Sequence, residues 1–226
     1  MAGKRTYGGF LSNALAVLLA NGLRAEGFQG VLPDDRGGFE SPSRTSRGLK
    51  KLDVNYSTPE MGLGLGLSIK TIAGPDPGTK RFTKNYSRND NELRAEAMDY
   101  HRRQPFAVLV GFLFMPISCC DDGGRGHGEE AGVSSFAAAV RYFRSRTPRP
   151  EPEDEPDLFE AFFICIYDPE STDVRLWPVH DLALAPPKVG RPGDRSTLSL
   201  DAALGQCAAI FEHRNNPAFE FAPDPS

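Results

Sequence analysis

KLDVNYSTPEMGLGLGLSIKT, residues 51–71, is the stretch on which the reading of this chain turns. Two short runs in it alternate with period two, the period of a strand whose successive side chains face opposite ways. In the first run Leu52, Val54 and Tyr56 share one face, and Asp53 and Asn55 the other. In the second, Leu63, Leu65, Leu67 and Ile69 form an apolar row, which places Gly64, Gly66, Ser68 and Lys70 together opposite it. Pro59 and Gly62 make residues 57–62 a turn, with Glu60 inside it, so the two runs read as a hairpin. A core-facing strand has no use for a lysine, and glycine weakens a strand unless a backbone or ligand comes close. An aspartate and a lysine on neighbouring strands, beside a face cleared of bulk, are therefore expected to carry the chemistry.

The chain has 226 residues, 39% hydrophobic and 25% charged, enough for one α/β domain with a full core. Its net charge of −4 is unevenly spread: residues 1–103 hold 16 Lys and Arg against 11 Asp and Glu, residues 104–226 hold 10 against 19. The expected site lies in the basic half, which suits either a polyanionic partner or an ordinary solvated surface. Cys119, Cys120, Cys165 and Cys207 have no disulfide-framework spacing, which fits reduced thiols in a cytosol. Cys119, Cys120 and His127 match no zinc pattern. GLGLGLSIKT lacks the spacing of a phosphate-cradling P-loop, because Ile69 precedes the lysine.

Along the chain, Lys4 and Arg5 before the apolar run 14–20 imitate a secretory leader, but the run is interrupted by Asn13 and Asn21 and too short to span a membrane. Residues 9–26 therefore read as a mostly buried helix ended by Gly27, with a leader as the alternative. Residues 27–50 show neither helical nor strand periodicity and read as a long loop. Arg44, Arg47, Lys50 and Lys51 arrive in or just after it, so it is either solvated or meets phosphates. Residues 73–88 add a turn and a basic string, Lys80, Arg81, Lys84 and Arg88, with Phe82 and Tyr86 interleaved as in backbone-tracking nucleic-acid surfaces. A helix is expected from Asn89, with Leu93, Ala97 and Tyr100 as its buried stripe. Glu92 and Glu96, four apart beside that stripe, repel unless a metal or cations such as Arg88, Arg94 or Arg103 compensate. The run PFAVLVGFLFMP, residues 105–116, predicts a strand covered on both faces. Ser134 and Ser135 cap a following helix, and residues 147–157, proline-rich and acidic, read as an extended solvated linker or loop. Residues 158–226 then supply two strands, a helix starting near residues 194–197 and a docked or frayed tail.

A leading helix, an Asp on one strand, Ser-Ile-Lys on the next and Arg-x-Glu on the following helix resemble the PD-(D/E)xK nuclease superfamily, particularly its restriction endonucleases. The resemblance covers residues 10–117 and implies an α/β, restriction-endonuclease-like mixed β-sheet flanked by helices. It also implies a Mg²⁺-dependent endonuclease that cuts double-stranded DNA as a homodimer in the cytoplasm of a prokaryote. Asp53 would be a metal ligand, and Lys70 the residue that orients or helps deprotonate the attacking water. Two departures stand out: Leu52 replaces the usual proline, and Ser68 occupies the place of the second acid. Some restriction enzymes of this superfamily have the same Ser-x-Lys and take the missing carboxylate from the next helix, in a segment resembling Arg-x-x-x-x-x-Arg-x-Glu. Arg88, Arg94 and Glu96 have that look, which makes Glu96 the second metal ligand, with Glu92 and then Glu60 as substitutes. Ser68 could hold a metal-bound water. Arg44, Arg47, Lys50, Lys80, Lys84, Arg88 and Arg94 would meet DNA. Two readings from other classes remain: a DNA-binding or defence-complex subunit that has lost catalysis, and an interaction protein in which Asp53 and Lys70 simply form an ion pair.

Overall fold

A computed structural model of the chain describes residues 2–39, 41–123, 132–171 and 173–215. Val54–Thr58 (β3) and Gly62–Thr71 (β4) form the expected antiparallel hairpin, Val54 opposite Leu67 and Tyr56 opposite Leu65. Ser57 then pairs with Leu63, so Gly64 is an extra residue in β4, a bulge that reverses the facing of whatever lies beyond it. Leu63 consequently packs in one core while Leu65, Leu67 and Ile69 pack in the other, which breaks the single apolar row expected from residues 63–69.

The helix Tyr86–His101 (α2) leads to Val108–Pro116 (β5), parallel to β4, and Ser135–Phe143 (α3) leads to Ala161–Tyr167 (β6), parallel to β5. Val174–Pro178 (β7) returns antiparallel, giving the mixed sheet order β3-β4-β5-β6-β7. Leu93, Ala97 and Tyr100 of α2 and Phe136, Val140 and Phe143 of α3 pack on one face of this sheet. Ala16, Leu19 and Leu23 of Ala2–Ala25 (α1) and Leu204, Cys207 and Phe211 of Leu200–Asn215 (α4) pack on the other. The chain is thus an α/β fold with a five-stranded mixed sheet between helices. Every residue of β5 is buried, as its unbroken apolar run requires in a strand covered twice. Ser134 Oγ caps α3 by accepting Ala137 N–H at 3.1 Å.

Several expectations need correction. Residues 27–50 are more than a loop, for Ser41–Thr45 (β1) and Gly48–Leu52 (β2) make a separate antiparallel hairpin. Its inward positions in β1 are Ser41, Ser43 and Thr45, so the period-two pattern exists but is invisible to hydrophobicity. Helix α2 begins at Tyr86, three residues before Asn89, and α4 begins at Leu200 after a short 3₁₀ turn at Asp194–Ser196. Residues 147–157 are no solvated linker. Arg149, its side chain 1% exposed, binds Glu160 at 2.8 Å and the Pro105 carbonyl at 3.0 Å, fastening this segment to the sheet. His127 and residues 216–226 lie outside the described residues. The four cysteines are buried and free, and among the described residues no helix is long and apolar enough to cross a membrane.

The sheet leaves no room under α3. A Cβ at Gly111 would stand 2.4 Å from the Phe162 ring, which is itself stacked on Phe143 at 4.9 Å. Gly111→Ala is expected to cost about 1–3 kcal/mol through overpacking, read as a lowered denaturant midpoint at unchanged slope; an unchanged midpoint would show that the ring can yield.

Candidate active site

Asp53 is the one residue between β2 and β3. Leu52 before it packs beneath α2 and α3, whereas Val54 after it packs beneath α1 and α4. The chain therefore changes sides at Asp53, and Leu52 does not share a face with Val54 as simple alternation predicts. The Asp53 carboxylate accepts the Ile69 N–H at 2.6 Å, which ties the bend to the middle of the Ser68-Ile69-Lys70 segment. Asn55 joins another network: its backbone bridges to Leu32, and its Oδ1 accepts the Ser57 hydroxyl at 2.5 Å.

Ser68 and Lys70 flank Ile69 and face α2. The Ser68 hydroxyl, fully buried, donates to Glu96 Oε1. Lys70 Nζ lies 3.3 Å from Glu92 Oε2, and the other Glu92 oxygen accepts Arg88 Nε at 2.8 Å. The Arg88 hydrogen bond first, and the Lys70 charge with it, hold Glu92 below the usual carboxylate range. Glu96, one helical turn on, is pushed up to about 7 by burial, with the charge of Asp53 adding to the rise and Lys70, the Ser68 hydroxyl and Lys50 opposing it. Asp53, Ser68, Lys70 and Glu96, drawn from a bend, a strand and a helix, thus act on one small volume.

The donor set suits a hard divalent cation. The charge of Asp53 adds to the proton affinity that burial gives Glu96, and the buried Ser68 hydroxyl stands beside that carboxylate. Among the described residues no group of three His, Cys, Asp or Glu is placed to hold a metal ion, so Asp53 and Glu96 would have to hold it with few protein ligands. Magnesium is commonly held in that way, by one or two carboxylates with the remaining places left to water and phosphate.

The other predicted residues are more scattered. Glu60 sits in the β3–β4 turn, at the opposite end of β4 from Lys70, and lines a different cleft with Arg44, Arg103 and Gln104. Lys50 pairs with Asp99 at 2.5 Å, Arg47 with Asp99 at 3.5 Å, Lys84 with Asp76 at 2.9 Å and Arg94 with Asp157 at 3.1 Å. Together with Arg88 on Glu92, at least five of the seven expected DNA-contacting cations hold carboxylates of the chain itself, and would meet a phosphate only by exchange. Arg44 is exposed and opens onto the 630 Å³ cleft that also contains Arg103. Lys80 is exposed at a left-handed turn, φ 58°. Phe82 and Tyr86, expected to interleave with the cations as stacking faces, are buried instead, and so is Arg81.

The glycine face is also not clear. A Cβ at Gly66 would meet Leu52 at 2.8 Å and Leu109 at 2.9 Å, and one at Gly64 would meet Met61, Phe211 and Tyr56. Protein side chains fill the space that the sequence left open for a duplex. Sequence reading missed Arg103 and Gln104 of the 630 Å³ cleft, and also Ser12, Asn85 and Asn89, which line a second cleft beside Lys70. The run of asparagines at residues 85–91 was the available signal, and it was read only as helix capping.

Glu96 gives this cluster a pH signature. Its folded proton affinity exceeds the unfolded one, so between pH 4.5 and about 7 the folded chain binds the extra proton and stability falls as pH rises. A shift of that size corresponds to up to about 3 kcal/mol of lost stability above pH 7. Glu96→Gln is therefore expected to be more stable than wild type at pH 8 without metal and to flatten the stability slope across that window, as read by denaturant unfolding; a variant less stable at pH 8 would mean that the charge is well compensated. Comparison with family models, with curated proteins and with solved structures finds no match to this chain.

Proposed function

We propose that the chain is a Mg²⁺-dependent endonuclease acting on double-stranded DNA, of restriction-endonuclease-like fold. The observation that carries this reading is the contact between Ser68 and Glu96. Where the Ser-x-Lys pattern lacks its second acid, a carboxylate from the next helix reaches that position, with Asp53 and Lys70 beside it. The mixed sheet flanked by helices is the arrangement that the resemblance implies.

In this mechanism Asp53 and Glu96 would hold the ion. Their positions are set by the Ile69 N–H and the Ser68 hydroxyl, so neither carboxylate has to be ordered when substrate arrives. Magnesium, when bound, lowers the pKa of a water and offsets charge on the phosphoryl oxygens. Lys70, its side chain 20% exposed, supplies a donor to those oxygens as charge builds on them. Glu96 must shed its proton to bind a cation, which couples metal affinity to pH. A two-fold homodimer on a palindromic duplex completes the proposal.

Plasmid DNA of mixed sequence incubated with the protein and Mg²⁺ should give discrete fragments, and EDTA should abolish them. Asp53→Ala, Lys70→Ala and Glu96→Gln should each lower the cleavage rate by about 100-fold or more, whereas Glu60→Ala should cut like wild type. DNA binding without cleavage by wild type would favour the non-catalytic subunit, and neither binding nor cleavage would favour the interaction protein. Cleavage that survives EDTA would remove the metal from the mechanism.

A further inference from the structure

Beside the carboxylate pair lies a cleft of about 260 Å³ whose walls come from three elements. Ser12 of α1, Lys70 and Thr71 at the end of β4, and Asn85, Arg88 and Asn89 at the start of α2 line it. Three observations give it a chemical character.

The first is the end of α2. Asn85, the N-cap, is left-handed with φ 77° and makes no side-chain hydrogen bond to the first turn. The amides of Tyr86 and Asn89 are taken by Thr83 O at 3.4 Å and Asn85 O at 2.8 Å, while those of Ser87 and Arg88 have no acceptor among the described residues. Such amides carry the positive end of the helix dipole. The second is Asn89, only 8% exposed, whose Nδ2 is buried without a hydrogen-bond acceptor among the described residues. An unmet buried donor is costly, and Asn89 is one of the residues that line the cleft. The third is a pair of cations in its wall, Lys70 and Arg88, both held by the Glu92 carboxylate. Orphan amides, a spare carboxamide donor and two cationic side chains suit an anion with several acceptor oxygens.

We propose that this cleft binds a phosphate group of a nucleic-acid strand, a neighbour of the phosphate that Asp53 and Glu96 address; the assignment rests on the nuclease reading above. Lys70 belongs to both places, because it lines the cleft and also lowers the proton affinity of Glu96. Asn89 and Glu96 are seven residues apart on α2, about 10 Å along its axis. One helix therefore offers its N-terminus to one phosphate and a carboxylate to the next stretch of strand. Glu92 holds Arg88 and Lys70 until a phosphate oxygen takes over part of their coordination.

Inorganic phosphate titrated into the full-length, metal-free, isotope-labelled protein, followed by NMR, tests this directly. Shifts should concentrate on the Ser87 and Arg88 amides and the Asn89 carboxamide, and a short duplex should displace the phosphate. Asn89→Asp and Arg88→Gln should each weaken phosphate binding about tenfold, and raise KM for duplex cleavage by a similar factor with kcat within about twofold. Glu92→Gln, which removes the carboxylate competing for Lys70 and Arg88, should tighten phosphate binding. Arg88 is exposed, so its variant keeps the test sound even if Asn89→Asp fails to fold. Absence of phosphate shifts at these amides, with plasmid cleavage intact, overturns the subsite and leaves the nuclease reading standing. Phosphate that binds there but stays when duplex is added assigns the cleft to free phosphate or a nucleotide, and also overturns the proposal. Phosphate displaced by duplex in a protein that never cuts DNA keeps the subsite and removes the catalytic reading.

Discussion

The hydrogen bond from the Ile69 N–H to the Asp53 carboxylate, 2.6 Å long, fixes the relation between the two strands from which the site is built. An ionised acceptor on a backbone donor makes a strong, directional contact. Here it pins a one-residue bend to the strand residue between Ser68 and Lys70. Because facing alternates, holding Ile69 toward α1 and α4 turns its two neighbours toward α2. Packing on both sides keeps the bend in place: Leu52 fills the space over Gly66, and Val54 stands opposite Leu67 in the ladder. Asp53 is thus oriented by the same strand that carries Ser68 and Lys70.

From the other side, α2 brings two carboxylates one turn apart, an arrangement that costs energy when both are charged. The fold separates their environments. Glu92, more exposed, keeps Arg88 and Lys70 and ionises easily. Glu96, desolvated beside Asp53, resists ionisation and holds a hydroxyl. Surface arginines do not neutralise the pair evenly, since Arg88 goes to Glu92 while Arg94 turns away to Asp157. Paired titratable groups driven apart in this way take different roles. Glu96 is the member left short of positive charge, and Glu92 is the one that steadies Lys70.

The legible part of the chain is the part where hydrophobicity carries the geometry. The covered strand β5, the Ser134 cap and the alternation of helices with strands follow from apolar period and turn residues. Asp53 and Lys70 stand out by residue type on neighbouring strands, whereas Glu96 as the replacement acid comes from the resemblance and not from periodicity. What escaped was local irregularity. One bulged glycine moves Leu63 to the other core, and β1 hides its alternation in serines and a threonine. A lack of bulk at Gly64 and Gly66 looks the same in sequence whether a ligand or a leucine fills it, and here residues distant in the chain fill it. Residues 147–157 have the composition of a solvated tether, but a single arginine buried against Glu160 outweighs that tendency.

That buried arginine also explains what the acidic half of the chain contributes to the site. Glu160 accepts the Leu109 N–H at 2.7 Å and gathers Arg149 at 2.8 Å and Arg214 at 3.2 Å, with His101 Nε2 at 3.4 Å. His101 is the last residue of α2. Farther up the same helix Asp157 pairs with Arg94, Arg146 holds Asp90, and the Tyr86 hydroxyl donates to Ser135 O at 2.8 Å. The helix is therefore gripped at its start, its middle and its end by residues 135–160. Two of the negative charges that make residues 104–226 acidic, Asp157 and Glu160, act inside the molecule as anchors rather than as a solvated surface. Catalytic geometry depends on such support, because a side chain carried by an element free to slide cannot be held within a fraction of an ångström. The height of Glu96 over Ser68 is accordingly set by charges that lie about sixty residues away along the chain. The basic half supplies Asp53, Ser68, Lys70 and Glu96, and the acidic half holds the helix that carries the last of them.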